Sequence, residues 1–227
     1  MVVLENDEFA VINKPPFIST LQDRNSQTNI LSLAKKNWTE AKVCHRLDKE
    51  TSGLLIIAKS ESCYKEFSNL FTKREVHKLY YAVVDGRHEL EDEEVDLPLF
   101  SSSNKSRVDY ESGKPSVTLV STVNIFKNHS LLACMPFTGR MHQIRVHLAA
   151  IGFPICGDSI YGGRPIYLSK IKRNFKIRKS EEEQPLMSRL SLHAYALKFS
   201  FAGQEFSVKA EYPKDFRATI NQLNKNT

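Results

Sequence analysis

No stretch of the 227-residue chain approaches the ~20 consecutive apolar residues that a helix needs to span a bilayer. Residues 1–10 carry Glu5, Asp7 and Glu8 where an export leader would place lysine or arginine, which argues against secretion. Cysteine is sparse: Cys44, Cys63, Cys134 and Cys156 are widely scattered, and none forms the CxxC spacing of a zinc site or redox couple. Reduced, packed cysteines in a cytoplasmic protein are the expectation, with no membrane partner. The chain also lacks an internal repeat, a low-complexity segment and a convincing linker, so a single domain over residues 1–227 is expected.

What is present is ordinary in bulk: 41% hydrophobic and 26% charged residues suffice for a packed core. The net charge of +6 points towards a polyanionic partner. Its distribution says more than its sum. Residues 162–180 hold seven basic side chains (Arg164, Lys170, Lys172, Arg173, Lys176, Arg178, Lys179) and no acid, with Tyr167 and Phe175 interleaved. Such a mixture suits phosphate contact and an idle solvated face about equally. Residues 162–190 read as a basic surface excursion. The six acids within residues 89–96 read as a solvated face.

Local patterning gives several strands and few helices. Residues 9–13, FAVIN, form a short apolar strand closed by Lys14-Pro15-Pro16. Residues 28–37 are a modest helix candidate, and 53–58 a buried strand. Ser60 then caps a helix that aligns Tyr64, Phe67 and Phe71. Residues 78–84 alternate as a strand, whereas 89–96 and 101–107 read as loop. Two hairpins follow, one over 117–126 and 130–135, the other over 193–201 and 205–210 with Gly203 in its turn. Between them, Met141, Ile144, Leu148 and Ile151 recur at helical spacing, with Gly152 and Pro154 as a stop. Strands and helices do not alternate strictly, which favours an α+β fold over a doubly wound sheet.

Three segments could carry chemistry. Residues 45–53, HRLDKETSG, place Asp48 among cations just before the buried strand. On that chemistry alone Asp48 could be a nucleophile, a general base, a metal ligand or half of a structural salt bridge, the last being the commonest fate of such a residue. Residues 138–147, TGRMHQIRVH, set Arg140, His142 and Arg145 near a helix N-terminus, an arrangement that favours anions. His142 and His147 are five apart with no acid in the segment, unlike HExxH, so no metal is expected. In residues 78–86, KLYYAVVDG, alternation puts Tyr80, Ala82 and Val84 on one face, where a tyrosine is more often core than functional.

These segments, in this order, resemble the signature motifs of the RluA family of pseudouridine synthases. HRLDKETSGLLIIAKS matches HRLDxxTSGLLxxAK, and KLYYAVVDG matches KxYxAxVxG. TGRMHQIRVHLAAIGFPICGDSIYGG matches TGRxHQxRxHxxxxGxPxxGDxxYG, and RLSLHAYALKF is similar to the closing LxLHAxxLxF. VINKPPFIST resembles the opening INKPxG turn, with Phe17 where glycine is usual. The motifs span residues 9–210. The long first and third are the specific ones; the tyrosine strand alone would be weak.

The resemblance implies a mixed, mostly antiparallel β-sheet flanked by helices and long loops, and an enzyme that isomerises uridine in structured RNA (rRNA, tRNA or both). The N1–C1′ bond breaks, the uracil turns, and C5 joins C1′. Only the C5 proton leaves, so no cofactor is implied. It further implies that Asp48 is the catalytic carboxylate, that Arg145 pairs with it and favours its ionised form, and that Tyr80 walls in the base. A uridine in a stem must be flipped out. Arg46 then fills the vacated stack, and His45, Arg140, His142, Arg164, Lys170, Lys172 and Arg173 contact RNA. The chain resembles single-domain members without an S4 RNA-binding domain; no protein partner is implied, and a monomer suffices. Two rivals stand beside this reading. One is a non-catalytic RNA-binding or ribosome-assembly protein of the same fold, which should have lost Asp48, Arg145 or Tyr80. The other is a glycosidase, which would need a second acid that the motifs do not offer.

Overall fold

The computed structural model describes residues 1–22, 28–173, 175 and 182–227. In chain order the elements are β1 (Val2–Glu5), β2 (Phe9–Lys14), α1 (Ile30–Ala34), β3 (Lys42–Val43), β4 (Ser52–Ala58), α2 (Glu61–Thr72), β5 (His77–Asp85) and β6 (Glu93–Asp96). There follow β7 (Leu99–Ser101), β8 (Ser106–Val108), β9 (Val117–Ile125), β10 (His129–Pro136), α3 (Gln143–Ala150), α4 (Leu168–Ile171), β11 (Leu192–Phe201), β12 (Gln204–Lys209) and α5 (Lys214–Lys225). The fold is α+β, with mixed, mostly antiparallel sheet structure. No described helix is long and apolar enough to cross a membrane. The chain divides into two compact units, Met1–Leu79 with His193–Tyr212, and Tyr80–Leu192 with Pro213–Thr227.

In the first unit the strand order is β1-β2-β4-β11, with β3 also on β4 and β12 on β11. All pairs are antiparallel except β4 with β11. The central β4 is buried along its whole length, which is why SGLLIIA runs apolar without alternation. Gly53, at φ 116°, lies so close to β11 that a Cβ would sit 2.2 Å from the Ala194 carbonyl oxygen. Only glycine allows that approach. Ser60 caps α2 by accepting from the Cys63 amide, and Phe67 of α2 meets Phe9, Phe199 and Phe201 in an aromatic core.

In the second unit the order is β5-β10-β9-β6, all antiparallel, and α3 packs on β8, β9 and β10. Ala82, Val84, Val120, Leu132, Ile144 and Leu148 form its core, with Tyr80 against them as the alternation requires. Two expectations need correction. Residues 89–96 and 101–107 are not loop throughout: β6 pairs with β9 through part of the acidic run, and β8 with β7 as a separate hairpin. The acids stay exposed while Val95 points into the core, so one apolar residue and an adjacent strand outweigh the poor strand propensity of Glu and Asp. The candidate helix over 28–37 shortens to α1, opened by a capping box between Asn29 and Ser32. β1 and α5 were not anticipated.

Candidate active site

In the first unit, Asp48 is half-buried on the turn that leads into β4, and its carbonyl accepts from the Thr51 amide at 3.1 Å. The opening INKPPFIST segment fixes the backbone on both sides of it. Thr20 brackets Leu47, its hydroxyl donating to the Leu47 carbonyl at 2.8 Å and accepting from the Leu47 amide at 3.1 Å. The Lys49 carbonyl accepts from the Phe17 amide at 2.8 Å and from the Lys14 ammonium at 3.2 Å. Lys14 is fully buried, and its ammonium also reaches the carbonyls of Pro15 and Ile18. A buried cation is tolerated where carbonyl dipoles replace its water. Phe17 itself sits at φ 68°, the left-handed region. That conformation explains why glycine is usual there: a Cβ is strained in it.

His45 and Arg46 flank this turn. Arg46 is exposed. His45 has its ring 4.9 Å from that of Phe71, and its Nε2 accepts from the Ile56 amide at 3.1 Å. Burial, with the nearby Lys78 charge adding to it, drives the His45 pKa down to about 3, so the imidazole is neutral and the acceptor role is secure. Burial also lowers Lys78 to about 8.

In the second unit, Tyr80 is half-buried on β5. Arg145 lies in the first turn of α3 and is 5% exposed. Its Nε donates to Oδ2 of Asp158 at 2.7 Å and its Nη2 to Oδ1 at 2.8 Å, a bidentate pair in which Asp158 is equally buried. The Arg145 Cζ stands 5.0 Å from the ring centre of Tyr161. The Tyr161 hydroxyl accepts from the Ser106 amide and is bonded to Nδ1 of His142, both at 2.9 Å. His142 takes φ 56° as the residue before α3. Gln143 holds the turn ahead of it: its carbonyl oxygen accepts from Thr138 and the Arg140 amide, while its amide group donates to Val117 and Thr118. Arg140, Arg164, Lys170, Lys172 and Arg173 are exposed, whereas Ile166 and Ile171 between them are buried. Lys176, Arg178 and Lys179 of the basic run lie outside the described residues.

Reading the sequence gave no role to Lys14, Thr20, Gln143, Asp158 or Tyr161. Each stood inside a matched motif, and that was the one signal available for them. The four cysteines are free, and burial raises the thiols of Cys44 and Cys134 to about 12. They are packing groups.

Known proteins give this geometry a class. The sequence profile of the RNA pseudouridylate synthase family matches residues 8–150. Dual-specificity RNA pseudouridine synthase RluA of Vibrio parahaemolyticus is 32% identical, over 98% of this chain and 86% of that protein. Its counterpart in Escherichia coli K12 is 30% identical over 95% and 94%. Ribosomal large subunit pseudouridine synthase D of Zymomonas mobilis is 30% identical over 98% and 72%. In fold, the chain is similar to human RNA pseudouridylate synthase domain containing 4, with a TM-score of 0.75 over 98% of this chain and 92% of that one. The chain belongs to the RNA pseudouridylate synthases, in their RluA-type branch, and is thereby an isomerase that pseudouridylates RNA.

Proposed function

We propose that the protein converts uridines of structured rRNA and tRNA to pseudouridine with Asp48 as the catalytic carboxylate. The observation that carries this reading is the doubly pinned backbone around Asp48: a half-buried acid held at a fixed place just before the buried strand β4. Fixed geometry of this kind is what an intramolecular rearrangement needs from a protein. Asp48 acts at the junction of ribose and base, the N1–C1′ bond breaks, the uracil turns, C5 bonds to C1′, and the C5 proton is released while N1 takes one up, so that the product is an isomer. In this proposal Arg145 pairs with Asp48 and favours its ionised form. Tyr80 walls in the base, and Arg46 fills the gap left by the flipped nucleotide.

RNA is held by His45, His142, Arg140, Arg164, Lys170, Lys172 and Arg173 in the same proposal. The exposure of the five cations supports it. Replacing Arg164, Lys170, Lys172 and Arg173 together by glutamine should lower the salt dependence of RNA binding by about 3 in the log–log slope, with turnover at saturation retained. An unchanged slope assigns the stretch to an idle surface. We extend the relatives' dual specificity to this chain, and place it in the cytoplasm with both units working as one catalytic domain. The test is to map pseudouridines across total RNA from cells with and without the gene, and to analyse the nucleosides made in vitro. Pseudouridine lost at defined positions supports the reading; free uracil as the product overturns it.

A further inference from the structure

Nothing in the reaction as derived uses Asp158 or Tyr161, yet both act on Arg145. The turn that carries them is built for close approach. Gly157 sits at φ 81°, and a Cβ there would meet the Arg189 carbonyl oxygen at 2.4 Å; at Gly163 it would meet the Ile155 carbonyl oxygen at 1.8 Å. The Gly163 amide and the Tyr161 amide both donate to the Asp158 carbonyl, closing the turn on itself. The Ile160 amide reaches the Asp158 carboxylate as well, at 3.3 Å. From this rigid turn the carboxylate grips Nε and Nη2 of Arg145 while the phenol ring covers its guanidinium.

An arginine has several rotatable bonds, and a guanidinium held at two donors and against a ring has lost that freedom. We propose that Asp158 and Tyr161 are positioning residues for pseudouridine formation, acting through Arg145 by fixing the plane of its guanidinium. The inference rests on the reading that gives Arg145 a part in the site. Tyr161 adds a second link, since its hydroxyl joins the Ser106 amide of β8 to His142 and so ties the β7–β8 hairpin to the entrance of α3. A buried Arg–Asp pair can also be purely structural. The two roles separate in kinetics.

The experiment is single-turnover pseudouridine formation on a substrate RNA with wild type, Asp158→Asn, Tyr161→Leu, Tyr161→Phe, Arg145→Lys and the Asp158→Asn/Arg145→Lys pair, each with its melting temperature. Asp158→Asn should slow the saturated rate about 100-fold, as a misplacement near 1 Å does, with half-saturation by RNA unchanged. Tyr161→Leu should slow it about tenfold, and Tyr161→Phe, which keeps the ring, less than that. The double variant should be no slower than the worse single one, because both act through one guanidinium. The Arg145 Nε–H proton should exchange slowly in wild type and rapidly in Asp158→Asn. If Asp158→Asn does not fold, Tyr161→Leu carries the kinetic test. Saturated rates within twofold of wild type for the folded variants, or fully additive losses in the pair, overturn the inference. Full activity of Arg145→Lys overturns it together with the role proposed for Arg145; an impaired Arg145→Lys beside fully active Asp158→Asn and Tyr161→Leu overturns the positioning role alone.

Discussion

The turn bearing Asp48 and the helix bearing Arg145 are immobilised by opposite means. Around Asp48 the pins are on the backbone: a threonine hydroxyl, a main-chain amide and a buried ammonium, all directed at the peptide groups of Leu47 and Lys49. Around Arg145 the pins are on the side chain itself, a buried carboxylate and an aromatic ring. The contrast fits the roles proposed for the two side chains. A carboxylate proposed to react is placed by the peptide groups on either side of it. A guanidinium proposed to orient and neutralise is gripped directly, by the two parallel donors that a carboxylate can hold.

Three variants sharpen the comparison on the Asp48 side. The largest effect is expected from Lys14→Met, which deletes a buried donor to three carbonyls and should cost about 3 kcal/mol in urea unfolding, with activity falling in parallel as the Lys49 carbonyl loses a pin. Unchanged stability and activity would make the backbone pins irrelevant. The next effect is one of pH. His45 has a folded pKa of about 3 against 6.5 unperturbed, so between these values the unfolded chain binds the extra proton. Stability is therefore complete above about pH 6.5 and is lost as pH falls towards 3. Protonation would also turn Nε2 from acceptor to donor against the Ile56 amide. His45→Gln, which keeps an acceptor without a titratable proton, should flatten the melting temperature between pH 6.5 and 4. Burial lowers His129 and His147 as well, so a residual slope remains. An equal slope in the variant would remove His45 from the account. The smallest effect belongs to Phe17→Gly. Phe17 is 51% exposed at φ 68°, so relief of strain outweighs lost packing, and stability should rise by up to about 1 kcal/mol. A fall in melting temperature would show that the phenyl ring holds the turn.

Much of this molecule was legible before any coordinates. β2, β4, α2 with its Ser60 cap, and the β9–β10 and β11–β12 hairpins follow from apolar runs, alternation and turn residues, which are local signals. β6 was hidden because Glu and Asp disfavour strands, and its pairing with β9 is a long-range fact. α5 was missed although Phe216, Thr219 and Leu223, its buried residues, stand at helical spacing. That pattern is readable and was overlooked within a polar sequence. Of the candidate site residues, the matched motifs supply Asp48, Tyr80 and Arg145 but not what holds them. A lysine reads as surface until three carbonyls are seen around its ammonium, and thirteen residues of separation do not announce that Asp158 grips Arg145. Motif matching also marked Phe17 as an exception without giving the reason, which is a backbone angle.

Whether the pinned carboxylate does the chemistry is decided most directly by Asp48→Asn, assayed as tritium release from RNA labelled at uridine C5, with binding of the same RNA measured alongside. The nearly isosteric amide should leave the fold and the affinity in place while slowing release on the order of 10^4-fold. Release at the wild-type rate from a folded, RNA-bound Asp48→Asn protein would contradict the account.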